Sequence, residues 1–262
     1  MASSSVRALG GLSGRLTKMS LENRTVLGHG IRNFRKERAL TSAERSSSPA
    51  SAGRGRGKGP DGVVKREPIE KHSWKPGNVL SPTPAVLVSC GAMRGWKPNL
   101  ITIAWTGNVC SEPPLLSISV RPERYSHEII ETTREFVVNV PSLRQAKAVD
   151  WCGVVSGRSE DKFAGAGLTP APALKVGCPI VLECPLNIEC RVRNSLKLGS
   201  HTLFVAEVVA VQVTSALIDA RGRLRLEKGG LLAFAHGQYF ALGRCIGRFG
   251  FSVQKHKDRA RR

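Results

Sequence analysis

The chain has 262 residues, 41% of them hydrophobic, with 40 Lys and Arg against 20 Asp and Glu. That length suits one sizeable domain with a tail or two small domains, and no apolar run approaches the roughly 20 residues of a membrane-spanning helix. The net charge of +20 points first to nucleic acid or an acidic surface, but residues 1–70 carry +8 of it and residues 254–262 carry +4, so the body between them is only mildly basic and equally suits a protein that binds phosphorylated anions.

Residues 1–70 are rich in Ser, Arg and Gly and poor in aromatics, with Ser46-Ser-Ser-Pro49 and Gly53-Arg-Gly-Arg-Gly-Lys-Gly59. Such a segment cannot bury enough apolar surface to offset its ordering entropy, and a disordered basic extension is expected. The opening Met1-Ala-Ser-Ser-Ser-Val-Arg, with no acid before Glu22, has the composition of a transit peptide. A start codon upstream of a true start at Met19 or later, and a short RNA-binding Gly/Arg stretch, are the other readings. The Gly-Lys pair is not a phosphate-binding P-loop, because Pro60 follows Gly59 and no strand precedes it.

From residue 82 the pattern turns to strands. Pro84–Cys90 is an apolar run, followed by a glycine-bearing hairpin connection over Gly91–Pro98. Asn99–Thr106 and Leu115–Val120 are the next strands, separated by a Pro113-Pro114 turn. Ser126–Arg134 reads as a short helix with Ser126 as N-cap and Ile129 and Ile130 facing inward. Glu135–Val140 is a strand stopped by Pro141, and Ser142 caps a second helix through Trp151. A polar loop over Ser156–Phe163 precedes a long pair of strands, Ile180–Val192 and Thr202–Val213. The second of these is apolar almost throughout, which predicts cover on both faces. Final strands are expected near Leu231–Phe234 and Gln238–Leu242. Strands dominate, so the fold class is mainly β, an antiparallel barrel over 71–253 with short helical insertions, ending in a basic tail at 254–262.

Seven cysteines, an odd number with no C-x-x-C pair, argue against a secreted disulfide framework and fit a reducing cytoplasm. Cys178, Cys184 and Cys190 are six residues apart, but Pro179 and Pro185 interrupt the strand that would align them and no His lies among them. They are read as small buried apolar residues.

Three polar clusters carry the chemistry. They are Asn99–Thr106, Ser119–His127 and Cys152–Phe163, and each sets hydroxyls, amides or a guanidinium at a strand end, where a phosphate or the polar edge of a planar ring can be held. Arg124 lies at a strand end and Ser126 opens a helix, so free amides, the helix dipole and a guanidinium fork converge. Thr102 and Ala104 alternate with Ile101 and Ile103, and the small pair lets a flat ring approach the strand. Trp105 either stacks near such a ring or plugs the barrel. Residue types alone equally allow a capped helix, a surface arginine and a solvated basic loop. No His-Glu-x-x-His, nucleophile elbow, paired-carboxylate or dinucleotide fingerprint is present.

In order and spacing the three clusters resemble the flavin reductase-like family of FMN-binding split barrels, over about Pro82 to Val253. The resemblance implies a Greek-key strand order and a split-barrel homodimer with the flavin held partly between subunits. It implies FMN as cofactor and NADH or NADPH as electron donor, the hydride chemistry being the cofactor's own. Arg124 and Ser126 of the strand–Arg–aromatic–Ser element, with Tyr125 its aromatic, would hold the phosphate, supported by Ser119 and Arg121. Asn99, Thr102, Ala104 and Trp105 would follow the ring, and Ser156, Arg158 and Lys162 would come from the loop that closes on the cofactor. His201, in the pattern His-x-Leu-Phe-x-x-Glu-Val, would lie near the flavin or nicotinamide as the catalytic candidate, with Ala206 standing where many relatives have Gly. Cys152 is a buried structural thiol or a thiol near the flavin, and His127 approaches the phosphate or sits on the helix surface. The implied activity is NAD(P)H-dependent flavin reduction in the cytoplasm, or in an organelle if a transit peptide is present. The alternative is a flavoredoxin-like carrier that keeps FMN and passes electrons to a protein partner. A non-catalytic flavin or haem binder on the same barrel is a third reading, and a nucleic-acid binder, resting on charge alone, a fourth.

Overall fold

The computed structural model describes residues 69–253; the expected extension up to residue 68 and the basic stretch 254–262 lie outside the described residues. Strand β1 (Thr83–Pro84) leads into β2 (Val86–Cys90), all five of whose residues are buried. β3 (Asn99–Ile103) returns antiparallel, with Cys90 opposite Asn99 and Val86 opposite Ile103. The connection between them requires glycine at 91, where φ is +86° and a Cβ would fall 2.1 Å from the Lys97 carbonyl oxygen.

The chain leaves β3 at Ala104 and re-enters the sheet as β4 (Thr106–Cys110), paired with β5 (Leu115–Val120). The sequence reading ran a single strand through Thr106 and did not foresee β4. That strand holds Gly107 and Asn108 and is exposed from Gly107 onward, so it carries neither β propensity nor an apolar face. Helix α1 (Tyr125–Thr133) then closes one end of the barrel with Ile129 and Ile130 fully buried, as expected. Its N-cap is Arg124, which corrects the assignment of that position to Ser126. Arg134 ends the helix in the left-handed region and passes the chain to β6 (Glu135–Val140).

Ser142 caps the next helical segment as read. Its hydroxyl accepts from the Arg144 amide, and Gln145 reaches back to the Ser142 amide, a reciprocal capping pair. A helical turn at Leu143–Gln145 runs into α2 (Ala146–Val154), and a loop leads to the five-residue α3 (Lys162–Ala166). After the short pair β7 (Pro170–Ala171) and β8 (Ile180–Val181) come the two long strands, β9 (Leu186–Lys197) and β10 (Thr202–Val213). The expected strand from Ile180 to Val192 is thus broken at Leu182–Pro185. Two register shifts between β9 and β10, at Val205/Ala206 and Val208/Ala210, bend this hairpin around the barrel. β11 (Leu232–Ala235) and β12 (Gln238–Ala241) join β1 in a small second sheet.

The main sheet has seven antiparallel strands in the order β3-β2-β6-β9-β10-β5-β4. Its first strand runs directly into its last, so Ala104 and Trp105 join the two edges. There the Ser119 amide donates to the Trp105 carbonyl at 2.9 Å. The barrel therefore closes through a short joint, with no hydrogen-bonded ladder between β3 and β5, and a seam remains beside it.

Inside the barrel Val86, Val88, Ile101, Ile118, Phe136 and Phe204 pack with Ile129 and Ile130 of α1. The strict alternation of β5 puts Leu116, Ile118 and Val120 in this core and leaves Ser117 and Ser119 on the other face. β10 behaves the same way in its first half: Thr202, Phe204 and Ala206 are buried, whereas Leu203, Val205 and Glu207 are only partly covered. The expectation of cover on both faces of this strand does not hold, because no helix among the described residues is laid over it. A helical layer instead covers β2 and β3, where Leu87 and Leu100 meet Val149 and Cys152 of α2 and Phe163 of α3.

Candidate functional site

The seam is occupied by a cleft of about 270 Å³. One wall is the end of β3 and the joint, Ile101 to Trp105; the other is the end of β5, Ser119 to Arg121, with Arg124, His201 and Phe234 completing the rim. The sequence reading brought together Thr102, Ala104, Trp105, Ser119, Arg121, Arg124 and His201, and all seven line this cleft. Small side chains at Ala104 and Ser119 keep both walls flat. Phe234 escaped the reading, because its strand pairs with β1 and nothing local ties residue 234 to the seam.

Trp105 does not plug the barrel. It is 44% exposed at the rim, and its ring sits 4.2 Å from the His201 imidazole, centroid to centroid. His201 Nδ1 lies 2.9 Å from the Ser200 hydroxyl, which leaves Nε2 for a ligand. Burial, reinforced by the Arg121 guanidinium, pushes this imidazole below its ordinary value, so it is neutral at pH 7. Thr102 contributes a flat wall and little more, since its hydroxyl donates to the Val149 carbonyl of α2.

Arg124 links the cleft to a deeper polar cluster. Ser126, in the first turn of α1, is buried, and its hydroxyl accepts from the Asn99 amide at 2.7 Å. Cys90, opposite Asn99 in the ladder, lies against both. Lys162 enters from α3, is 4% exposed, and donates its ammonium to the Cys152 carbonyl at 2.7 Å, in the last turn of α2. That carbonyl is one of those a helix end leaves unpaired, and it lies at the negative end of the helix dipole.

The electrostatics of this cluster are one-sided. Burial pushes the Lys162 ammonium below its ordinary value, and the neighbouring Arg124 charge pushes it further. The nearby thiols do not compensate: burial raises Cys90 to about 12 and Cys152 to about 11, so both are neutral at pH 7. No carboxylate among the described residues pairs with Lys162 or Arg124. Lys162, Arg124, the Ser126 hydroxyl and the first amides of α1 therefore gather with only the exposed Glu123 carboxylate near Arg124 as counter-charge, a donor set that suits an anion. Gly157 seals its far side. A Cβ there would stand 1.9 Å from the Asn99 side-chain oxygen, so only glycine lets the loop close over Asn99.

The remaining expected residues lie outside this convergence. The Arg158 guanidinium stacks 4.9 Å from the Tyr125 ring centre and reaches Glu128 at 3.4 Å, on the outer face of α1. The Ser156 hydroxyl accepts from the Arg158 amide, ordering the loop. Arg121 faces Glu123 at 3.5 Å at the rim. His127 is not on the helix surface; it is buried, with Nε2 2.8 Å from the Thr202 hydroxyl. Cys178, Cys184 and Cys190 are buried, as read, and burial raises all three.

With this geometry in view, the comparisons are decisive. The family model described as the flavin reductase like domain matches residues 79–243. The chain belongs to this family. An uncharacterized protein of Archaeoglobus fulgidus is 38% identical over 125 residues, 48% of this chain and 71% of that one. Among solved structures, the flavoredoxin of Desulfovibrio vulgaris (Miyazaki F) superposes with a TM-score of 0.66 at 31% identity, over 71% of this chain and all of its own. A split barrel protein of Shewanella frigidimarina NCIMB 400 gives 0.58 at 21% identity over 64% and 85%, a likeness of fold. The seven-stranded sheet with its seam is thus a split barrel, and this flavin reductase-like chain is an oxidoreductase by family.

Proposed function

We propose that this flavin reductase-like chain binds FMN at the seam and uses NADH or NADPH to reduce flavin. The observation that carries the proposal is the buried Lys162 without a carboxylate partner, with Arg124 near it, beside a flat-walled cleft: a phosphate monoester would supply the missing negative charge, and a planar ring suits the wall from Thr102 to Trp105. Arg124 would fork onto the phosphate, Lys162 would add a buried point charge, and Ser126 with the first amides of α1 would complete the cradle. When bound, FMN would supply the redox chemistry, the capacity to take up a hydride. Trp105 and His201 would border the reacting edge, where a neutral His201 offers Nε2 as a hydrogen-bond partner without adding charge. Gly157 and the closed loop exclude water from the phosphate end. The cleft volume falls just under the usual 300–1,000 Å³ of small-molecule pockets, which supports a homodimer in which a second copy completes the site.

A second reading is favoured by the match to the whole length of the flavoredoxin. In it the chain keeps its FMN and hands electrons to a protein partner, with little NAD(P)H turnover. Steady-state oxidation of NADH and NADPH with and without excess free FMN separates the two. A reductase turns over many equivalents of nicotinamide when free flavin is supplied. A carrier stops after one equivalent per site, and that result would replace the proposal by the second reading.

A further inference from the structure

A second cleft, of about 720 Å³, opens where β10 ends, away from His201 at the start of that strand. Its sides come from the Ser142–Gln145 turn, the break between β8 and β9, and Lys228–Gly230 ahead of β11. The volume lies well inside the range of small-molecule pockets. Leu217 and Cys184 are buried in the lining, while Leu143 and Leu182 stand exposed beside them, so much of the lining is hydrocarbon.

The charged groups are distributed unevenly. In the adjoining hairpin Arg223 and Arg225 are paired with Asp219 and Glu227. Arg144 and Lys228, which line the cleft, form no ion pair within 4 Å among the described residues, although the neighbouring Glu227 carboxylate feels the Lys228 charge. Glu183, the one acid in the lining, accepts from the Thr169 amide with both oxygens at 3.0 Å and keeps its negative charge there. The amides at the start of the Leu143–Gln145 turn are satisfied internally by Ser142 and Gln145. The lining therefore offers two side-chain cations against one amide-bound carboxylate, a small positive excess for an anionic head, and leucines for an apolar body.

We propose that this cleft is a binding site, separate from the flavin cleft, for a small amphipathic carboxylate, its head between Arg144 and Lys228 and its hydrocarbon body against Leu143, Leu182 and Leu217. A guanidinium fork suits a carboxylate, and the ammonium adds a second positive charge. The uncharged analogue of the same ligand leaves both cations without a partner and is expected to bind at least tenfold more weakly.

The test is calorimetric titration of the full chain with decanoate, and with decanol as the neutral control. Saturable binding of one decanoate per chain is expected, weakened at least tenfold in Arg144→Gln/Lys228→Gln and independently in Leu182→Asn. An unchanged melting temperature shows that each variant is folded, and this control needs no flavin, so the outcome does not depend on the function proposed above. Decanol binding as tightly as decanoate, unchanged affinity in the double variant, or no saturable binding each overturns the proposal.

Discussion

Replacing Lys162 by Met tests the anion site at its buried cation. The methionine keeps length and hydrocarbon while removing the ammonium, its bond to the Cys152 carbonyl and its charge beside Arg124. A hydrogen bond to a charged group contributes about 1.5–3 kcal/mol, so FMN affinity should fall roughly 10- to 150-fold. Riboflavin, which lacks the phosphate, should bind the variant and the parent alike. Stability should move little, because removing a desolvated cation from a site that is 4% exposed offsets the loss of the Cys152 carbonyl's partner. Titration by quenching of flavin fluorescence gives both affinities, and thermal melting of the apoprotein gives the stability. Equal losses for FMN and riboflavin, or an unchanged FMN affinity, would refute the assignment of the phosphate to this cluster.

The same lysine sets a pH dependence. Its free-protein value is held below the ordinary 10.5 by burial and by Arg124, and a bound phosphate raises it again. FMN affinity should therefore be full below the free-protein value and decline as pH rises through the bound one, while riboflavin affinity stays flat across that window; parallel titrations of the two ligands check it. Gly157→Ala drives a methyl into the Asn99 side chain, displacing the amide that positions Ser126, and FMN dissociation measured by stopped flow should quicken by about tenfold with riboflavin less affected. Phe204→Ala empties a fully buried position in the barrel, and urea unfolding should record a loss of about 3–5 kcal/mol.

Much of the barrel was legible because its strands advertise themselves. Leu115–Val120 alternates in step with its burial, and Glu135–Val140 is bounded by a left-handed Arg134 and by Pro141. The proposed anion site was half legible: Arg124 and Ser126 sit where a strand gives way to a helix, a local pattern. Lys162 was read as part of a loop closing on the cofactor, but its burial against the end of α2 is a tertiary fact that a charged residue type conceals. β4 was missed because an exposed edge strand with Gly and Asn has no apolar period to detect. Arg158 was expected at the cofactor from the resemblance of its loop and from its charge, and its contacts with Glu128 and Tyr125 are tertiary ones that no local pattern shows. The break at Ala104–Trp105, which makes the seam, depends on β3 and β4 lying at opposite edges of one sheet, and no local signal encodes that.

The central claim is that this flavin reductase-like chain holds FMN at the seam in a form that NAD(P)H reduces. Its most direct test is the visible absorption spectrum of the FMN-loaded protein under anaerobic conditions, before and after NADH and then NADPH. Bleaching of the flavin bands by at least one nicotinamide, one equivalent per bound FMN, is the predicted result. A protein that fails to take up FMN, or whose flavin bands persist with both donors, would contradict the account.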